Sequence, residues 1–346
     1  MKKVIVTGVT GQDGSHMVDY LLANTDYYVF GGARRLSVSN HFNISHIKSD
    51  RFKIIDLDST DPENINSVIS LIKPDYFINF AANSFVGTSW ELPVNHIQTN
   101  MMSVLYQLEA IRKYAPNCRY YNAGSSEEFG DVMSVPQDEN HPLRPRSPYG
   151  ASKASARHIV KVWRDSYKTF AVQGWLFNHE GTRRGKEFVT RKITSGVASI
   201  YWAMAKDQPF KPIELGNLDS KRDWSDAEDF VDGVWKMLNN DKPKDYVLSS
   251  NETHTVREFV QLAFSAAGIE GYWLGNKGTT DEVFLHNESK KILLKINPTF
   301  FRPAEVDVLF GDSSLARKEL GWMPKISFPE LVKKMVANDI AIQDKK

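Results

Sequence analysis

Short runs of β-branched and aromatic residues recur through the first half of the chain, at positions 4–7, 27–31, 52–55, 76–80, 119–123 and 172–176. Between them, at 15–23, 62–72, 94–114 and 149–167, apolar residues return every three or four positions and polar residues fill the gaps. The first kind of run reads as a strand buried on both faces, the second as a helix with one apolar side. Their alternation predicts β-α-β units, hence an α/β fold with a Rossmann-like, doubly wound parallel sheet.

Beyond residue 178 the alternation loosens. Helical spacing continues at 189–204, 227–238, 256–267, 313–320 and 329–340, with short strands predicted at 213–216 and at 246–249, the latter returning to the sheet. Residues 271–303 read as irregular. The expected organisation is a larger unit from residues 1–178, joined by a late segment near 220–255. A smaller mixed α/β unit from 179–346 interleaves with it.

Composition narrows the partners. With 346 residues, 41% of them hydrophobic, the chain is long enough for both units to bury a core. Lys plus Arg number 43 against 42 for Asp plus Glu, a formal charge of +1, so neither a nucleic-acid nor a membrane surface is expected. The expected partner is a small molecule. Cys118, the sole cysteine, falls in an apolar run and reads as a structural thiol; nine histidines lack paired ligand spacing, so no metal site is expected. The chain opens on Lys2-Lys3-Val4-Ile5-Val6-Thr7, which reads as a strand rather than a signal peptide, and no apolar run approaches the about 18 residues of a membrane span. The expected location is cytoplasmic.

Gly8-Val-Thr10-Gly11-Gln12-Asp13-Gly14 lies between a predicted strand and a predicted helix. In that context glycines permit a tight turn and let a pyrophosphate approach the helix amino terminus, so these residues are the candidate dinucleotide turn. The residue ending the second strand selects the cofactor. Here the strand runs into Arg34-Arg35, and two guanidiniums suit the 2′-phosphate dianion, which favours NADP over NAD. Asp56 and Leu57, after the third strand, are placed to meet the adenine; Ala81 and Ala82, after the fourth, leave room for ribose and pyrophosphate.

Two further stretches carry reaction chemistry, Ser125-Ser126-Glu127 and Tyr149-Gly-Ala-Ser-Lys153. Tyr149 and Lys153 share a helix face, and an ammonium beside a phenol lowers the phenol's pKa from ~10, making Tyr149 a base near neutral pH. That pair alone implies alcohol oxidation. Glu127 adds a carboxylate two residues after the hydroxyl of Ser125, enough for a second proton transfer.

These residues resemble the GDP-mannose 4,6-dehydratase family, within the extended short-chain dehydrogenases. The motifs include Thr7-Gly-Val-Thr-Gly-Gln-Asp-Gly14, Arg34-Arg35, Pro145-Arg-Ser-Pro-Tyr149, Asn178-His-Glu180, Arg183-Arg-Gly185, Phe188-Val-Thr-Arg-Lys192, Lys221-Arg-Asp-Trp224 and Phe301-Arg-Pro303. The resemblance spans nearly the whole chain. It implies oxidation of the sugar at C4 with Tyr149 as base, Ser125 on the 4-oxygen, Glu127 abstracting the C5 proton, loss of the 6-hydroxyl as water, and hydride return to C6. It also implies that His179 and Arg184 lie beside the cofactor, that Ser84 and Phe85 lie near nicotinamide and sugar, and that Ser126 and Asn178 face the substrate. Val189, Lys192, Arg222, Arg302 and Glu305 would line the GDP pocket. Relatives form dimers or tetramers, so a homodimer or homotetramer is expected.

Three positions depart from the family pattern. Ser125 replaces a usual threonine, Phe85 a histidine and Asn95 a cofactor-contacting tyrosine. The substrate expectation is therefore GDP-mannose or a GDP-manno-heptose. An epimerase or reductase of nucleotide sugars needs Tyr149 and Lys153 but not Glu127, and a non-catalytic NADP-binding sensor needs none of the three.

Overall fold

The computed structural model describes residues 1–300 and 308–344. Its first half alternates as the sequence pattern predicts: β1 (Lys3–Thr7), α1 (Gln12–Asn24), β2 (Tyr28–Ala33), β3 (Phe52–Asp56), α2 (Pro62–Ile72), β4 (Tyr76–Asn79), α3 (Pro93–Ile97), α4 (Ser103–Tyr114), β5 (Arg119–Ala123), α5 (Pro148–Tyr167) and β6 (Ala171–Leu176). The six strands and Val247–Leu248 form one sheet, ordered Val247–Leu248, β6, β5, β4, β1, β2, β3, and every pairing is parallel. Strand order reverses between β1 and β4, where ligands of doubly wound sheets bind beyond the carboxyl ends.

Side-chain alternation explains why both faces are covered. Val4, Val6, Ile78, Tyr121 and Val172 point to one face and pack with Met17, Val18 and Leu21 of α1. Ile5, Phe77, Tyr120 and Ala171 point to the other, against Ile65 and Ile69 of α2 and Leu108 and Ile111 of α4. Each such fully buried side chain contributes about 1.5–3 kcal/mol. The helices start where local chemistry allows. Asp61 accepts from the amides of Glu63 and Asn64 ahead of α2, and Ser147 accepts from the amide of Gly150 at the head of α5. The helix expected at 94–114 is one path of chain broken by a π-helical turn at Gln98–Met102 between α3 and α4.

The second half has its own core. Here α6 (Val189–Ala205), Val256–Ala266 and Phe328–Asp344 pack Val197, Phe259 and Val336 against a four-stranded sheet. That sheet corrects the expectation of an irregular stretch at 271–303. Gly271–Leu274, Val283–His286 and Ile292–Ile296 form an antiparallel meander whose last strand pairs in parallel with Ile213–Leu215. Polar turns and glycines divide these strands into four or five residues each, too short for periodicity to reveal, and burial of Phe284, Leu293 and Leu294 against α6 supplies the order instead. Helix α7 (Ala227–Leu238) returns to the first core, where Phe230, Val234 and Met237 pack with Leu248 and Trp322. Among the described residues, no helix is long and apolar enough to cross a membrane.

Candidate functional site

One cleft of about 1100 Å³ opens at the carboxyl ends of β1, β4, β5 and β6, and both halves of the chain line it. Every candidate site residue within the described part of the chain lies on its wall: Gly8, Thr10, Gly11, Gln12, Asp13, Gly14, Arg34, Asp56, Leu57, Ala81, Ala82, Ser84, Phe85, Ser125, Ser126, Glu127, Tyr149, Lys153, Asn178, His179, Arg184, Val189, Lys192 and Arg222. Arg302 and Glu305 lie outside the described residues.

At the sheet end of the cleft, Gly8 has φ +65°, a left-handed conformation that turns β1 into α1, and an added Cβ would stand 2.8 Å from the amide nitrogen of Ala81. The free amides opening α1 and its dipole suit a diphosphate. Asp13 in the first turn pairs with His179 at 2.9 Å, and the other His179 ring nitrogen lies 2.7 Å from the Phe177 carbonyl. Both ring nitrogens therefore face acceptors. Burial opposes charge on both residues, yet the mutual attraction prevails: His179 is raised above its ordinary value and Asp13 falls to about 2. Arg34 and Arg35 follow β2 on the cleft wall, both exposed, and neither makes a hydrogen bond or ion pair among the described residues. These features fit a nicotinamide dinucleotide.

The candidate reacting centre is a tight turn, Ser126–Glu128, closed by Ser125. Ser125 Oγ accepts from the Glu127 amide at 3.2 Å, and Glu128 Oε1 accepts from the Ser125 amide at 2.8 Å. The capping glutamate is thus Glu128, fully buried and paired with Arg157 at 2.5 Å, while Glu127 reaches the cleft with no side-chain hydrogen bond or ion pair among the described residues. Gly150 lets α5 press on this turn, since a Cβ there would stand 2.5 Å from the Glu127 carbonyl oxygen. That approach puts Tyr149 on the same cleft wall as Ser125, close enough for the serine side chain to act on the phenol.

Here the structure corrects the expectation that Lys153 lowers the Tyr149 phenol. Burial dominates and pushes Tyr149 well above its ordinary value; Ser125 and Arg184 act downward, Glu127 and Glu128 upward. Lys153 donates instead to the Ala123 carbonyl at 2.8 Å, and burial brings its ammonium down to about 8. The ammonium stands 5.9 Å from the centre of the Tyr149 ring, so helical spacing brings the pair together without joining the two polar ends.

On the opposite wall the contacts are between side chains. Lys192, in the first turn of α6, sits 3.4 Å over the Phe300 ring, and burial lowers its pKa. Arg184 pairs with Glu180 at 2.9 Å and lies 3.6 Å over the Phe188 ring. Phe85 meets Phe188 edge to face at 5.6 Å. Phe188 and Phe300 were not among the expected site residues; their position before and opposite α6 gave no local signal.

A family model described as GDP-mannose 4,6 dehydratase matches residues 5–335. The chain belongs to the GDP-mannose 4,6-dehydratase family. A relative of that name from Drosophila melanogaster is 43% identical over 353 residues, covering 99% of this chain and 87% of the relative. The Homo sapiens relative is 39% identical over 347 residues, covering 98% and 91%. Among solved structures, a dTDP-glucose 4,6-dehydratase from Streptomyces venezuelae with NAD bound superposes with a TM-score of 0.82 at 19% identity, covering 99% of this chain and 98% of that one. RMD from Pseudomonas aeruginosa, complexed with NADPH, gives 0.76 at 19% identity, covering 99% and 100%. These likenesses establish the fold.

One expected departure from the family pattern, Asn95, has a visible consequence. Asn95 hydrogen-bonds Asn83, so it is tied to the loop after β4. Asn100, in the π turn, holds the same loop by accepting from the Asn83 amide at 2.9 Å and donating to its carbonyl at 3.1 Å. It also donates to Ser152 of α5 at 3.1 Å, a bridging role that only the π distortion flags.

Proposed function

We propose that the chain, a nucleotide-sugar hydro-lyase by family, is an NADP-dependent 4,6-dehydratase of a GDP-sugar, either GDP-mannose or a GDP-manno-heptose. The observation that carries this reading is the free Glu127 carboxylate in the same cleft as Ser125 and Tyr149. An epimerase or reductase has no use for that second base.

When bound, the nicotinamide supplies a hydride acceptor for C4 and a donor for C6. Ser125 holds the sugar's 4-oxygen and Tyr149 takes its proton. Because burial raises the phenol, the downward pull of Ser125 and Arg184 matters for that transfer. The resulting ketone acidifies C5; Glu127 removes the C5 proton and passes it to the departing 6-hydroxyl, which leaves as water. Arg34 pairs with the 2′-phosphate, and the Gly8 turn with α1 holds the pyrophosphate. Asn178, Val189, Lys192 and Arg222 hold the nucleotide diphosphate, with Arg302 and Glu305 assigned to the same pocket by family resemblance. In this reading residues 1–178 with the late segment near 220–255 are the cofactor unit, and 179–346 mainly the sugar-nucleotide unit. Phe85 and Ser125, less polar and smaller than the family residues, favour tolerance beyond C6.

Purified protein incubated with NADP and a panel of GDP-sugars, read by mass spectrometry, tests this directly. Loss of one water from GDP-mannose or GDP-manno-heptose is the expected result. Conversion without a mass change would replace the reading with an epimerase.

A further inference from the structure

Beneath the cleft, four strands place polar side chains in one row. Thr7 of β1 pairs in register with Asn79 of β4, Asn79 with Asn122 of β5, and Asn122 with Gln173 of β6. The hydrogen bonds between them all run one way. The Ala81 amide donates to Thr7 Oγ1 at 3.1 Å, and Thr7 donates to Asn79 Oδ1 at 2.6 Å. Asn79 Nδ2 donates to Asn122 Oδ1 at 2.8 Å, Asn122 Nδ2 to Gln173 Oε1 at 2.7 Å, and Gln173 Nε2 to Glu128 Oε1 at 3.0 Å. A unidirectional chain ending on a carboxylate is the favourable polarity, since each bond polarises the next toward the negative end.

None of Thr7, Asn79, Asn122, Gln173 and Glu128 lines the cleft, yet the residues they hold at the two ends, Ala81 and Ser125, do. One end is the Ala81 amide on the cofactor wall. The other is Glu128, which fixes the amide of Ser125. A parallel sheet needs no such row in its interior, where apolar side chains pack without desolvation cost. We propose that this chain is a positioning device: it sets the reacting turn, Ser125–Glu127, against the cofactor wall at Ala81, with Asn122 as the link that touches neither.

The experiment is Asn122→Asp in the NADP-loaded protein. Protonated, the new carboxyl accepts from Asn79 and donates to Gln173, preserving the chain; ionised, it sets an acceptor against Gln173 Oε1 and breaks it. Burial raises such a carboxyl above the ordinary range. The variant should acquire an alkaline limb in kcat, falling about tenfold to a hundredfold, with KM for the GDP-sugar unchanged. Amide exchange in the segment holding Ser125–Glu127 should rise over the same pH range relative to the unsubstituted protein at each pH. The proposal rests on the dehydratase reading for its kinetic arm only. An inactive parent protein would defeat that reading, while altered exchange would still support the chain. Unchanged exchange and a pH profile matching the parent would overturn it. Should Asn122→Asp fail to fold, Thr7→Val removes the first link and Thr7→Ser restores it; equal kcat and equal exchange in these two would also overturn it.

Discussion

The two walls of the cleft are built from different materials. On the cofactor wall, position comes from backbone: strand ends in a parallel sheet, a left-handed glycine, the first amides of α1 and a row of hydrogen bonds beneath. On the opposite wall it comes from side chains, with Lys192 on Phe300, Arg184 on Phe188 and Phe188 on Phe85. Backbone geometry tolerates sequence change above it, whereas a wall of side chains changes shape with each substitution. Conserved chemistry and adjustable substrate choice can therefore coexist in one site, and the two walls should answer mutation differently.

The largest effect should come where the walls meet. Glu127→Gln should lower dehydration about 10²–10⁴-fold while still allowing some reduction of NADP, because its role starts after C4 is oxidised. Tyr149→Phe should suppress both signals. Absorbance of the reduced cofactor and mass of the sugar nucleotide separate the two, and parental dehydration in Glu127→Gln would remove it as the second base. Next in size is Arg34→Ala on the cofactor wall, which should weaken NADP by about 1.5–3 kcal/mol and leave NAD unaffected. Titration calorimetry with both cofactors checks this. Equal affinities in the parent would end the 2′-phosphate assignment.

A smaller effect belongs to the Asp13–His179 pair that joins the walls. Asp13 is lowered, so its contribution holds above its ordinary 3.8 and fades as pH falls through about 2; His179 is raised, so its contribution holds below its ordinary 6.5 and fades as pH rises through the raised value. Asp13→Asn should therefore cost about 1–2 kcal/mol between those limits, with melting curves converging toward the parent outside them. A uniform loss across pH would assign the effect to packing. The smallest change is expected at Phe85. Phe85→His should shift the ratio of kcat/KM between GDP-manno-heptose and GDP-mannose by about 1 kcal/mol toward mannose. No shift would take Phe85 out of substrate selection.

Strand and helix alternation through residue 176, the glycine turn and the pair of arginines were legible because they are written in neighbouring residues: apolar periodicity, turn chemistry and caps act over a few positions. The same locality brought the candidate residues to one cleft, since β-strand ends in a doubly wound sheet converge by topology. Locality also set the limits. The strands of 271–296 were too short to show a period, and tertiary burial ordered them. Which of two adjacent glutamates is free was decided by Arg157 and Gln173, which approach Glu128 from α5 and β6. The pKa of Tyr149 was set by burial rather than by Lys153, because desolvation sums over every group that excludes water, most of them distant in the chain. Sequence thus determined which residues reach the site, and packing alone decided which of them hold a charge, a proton or only each other.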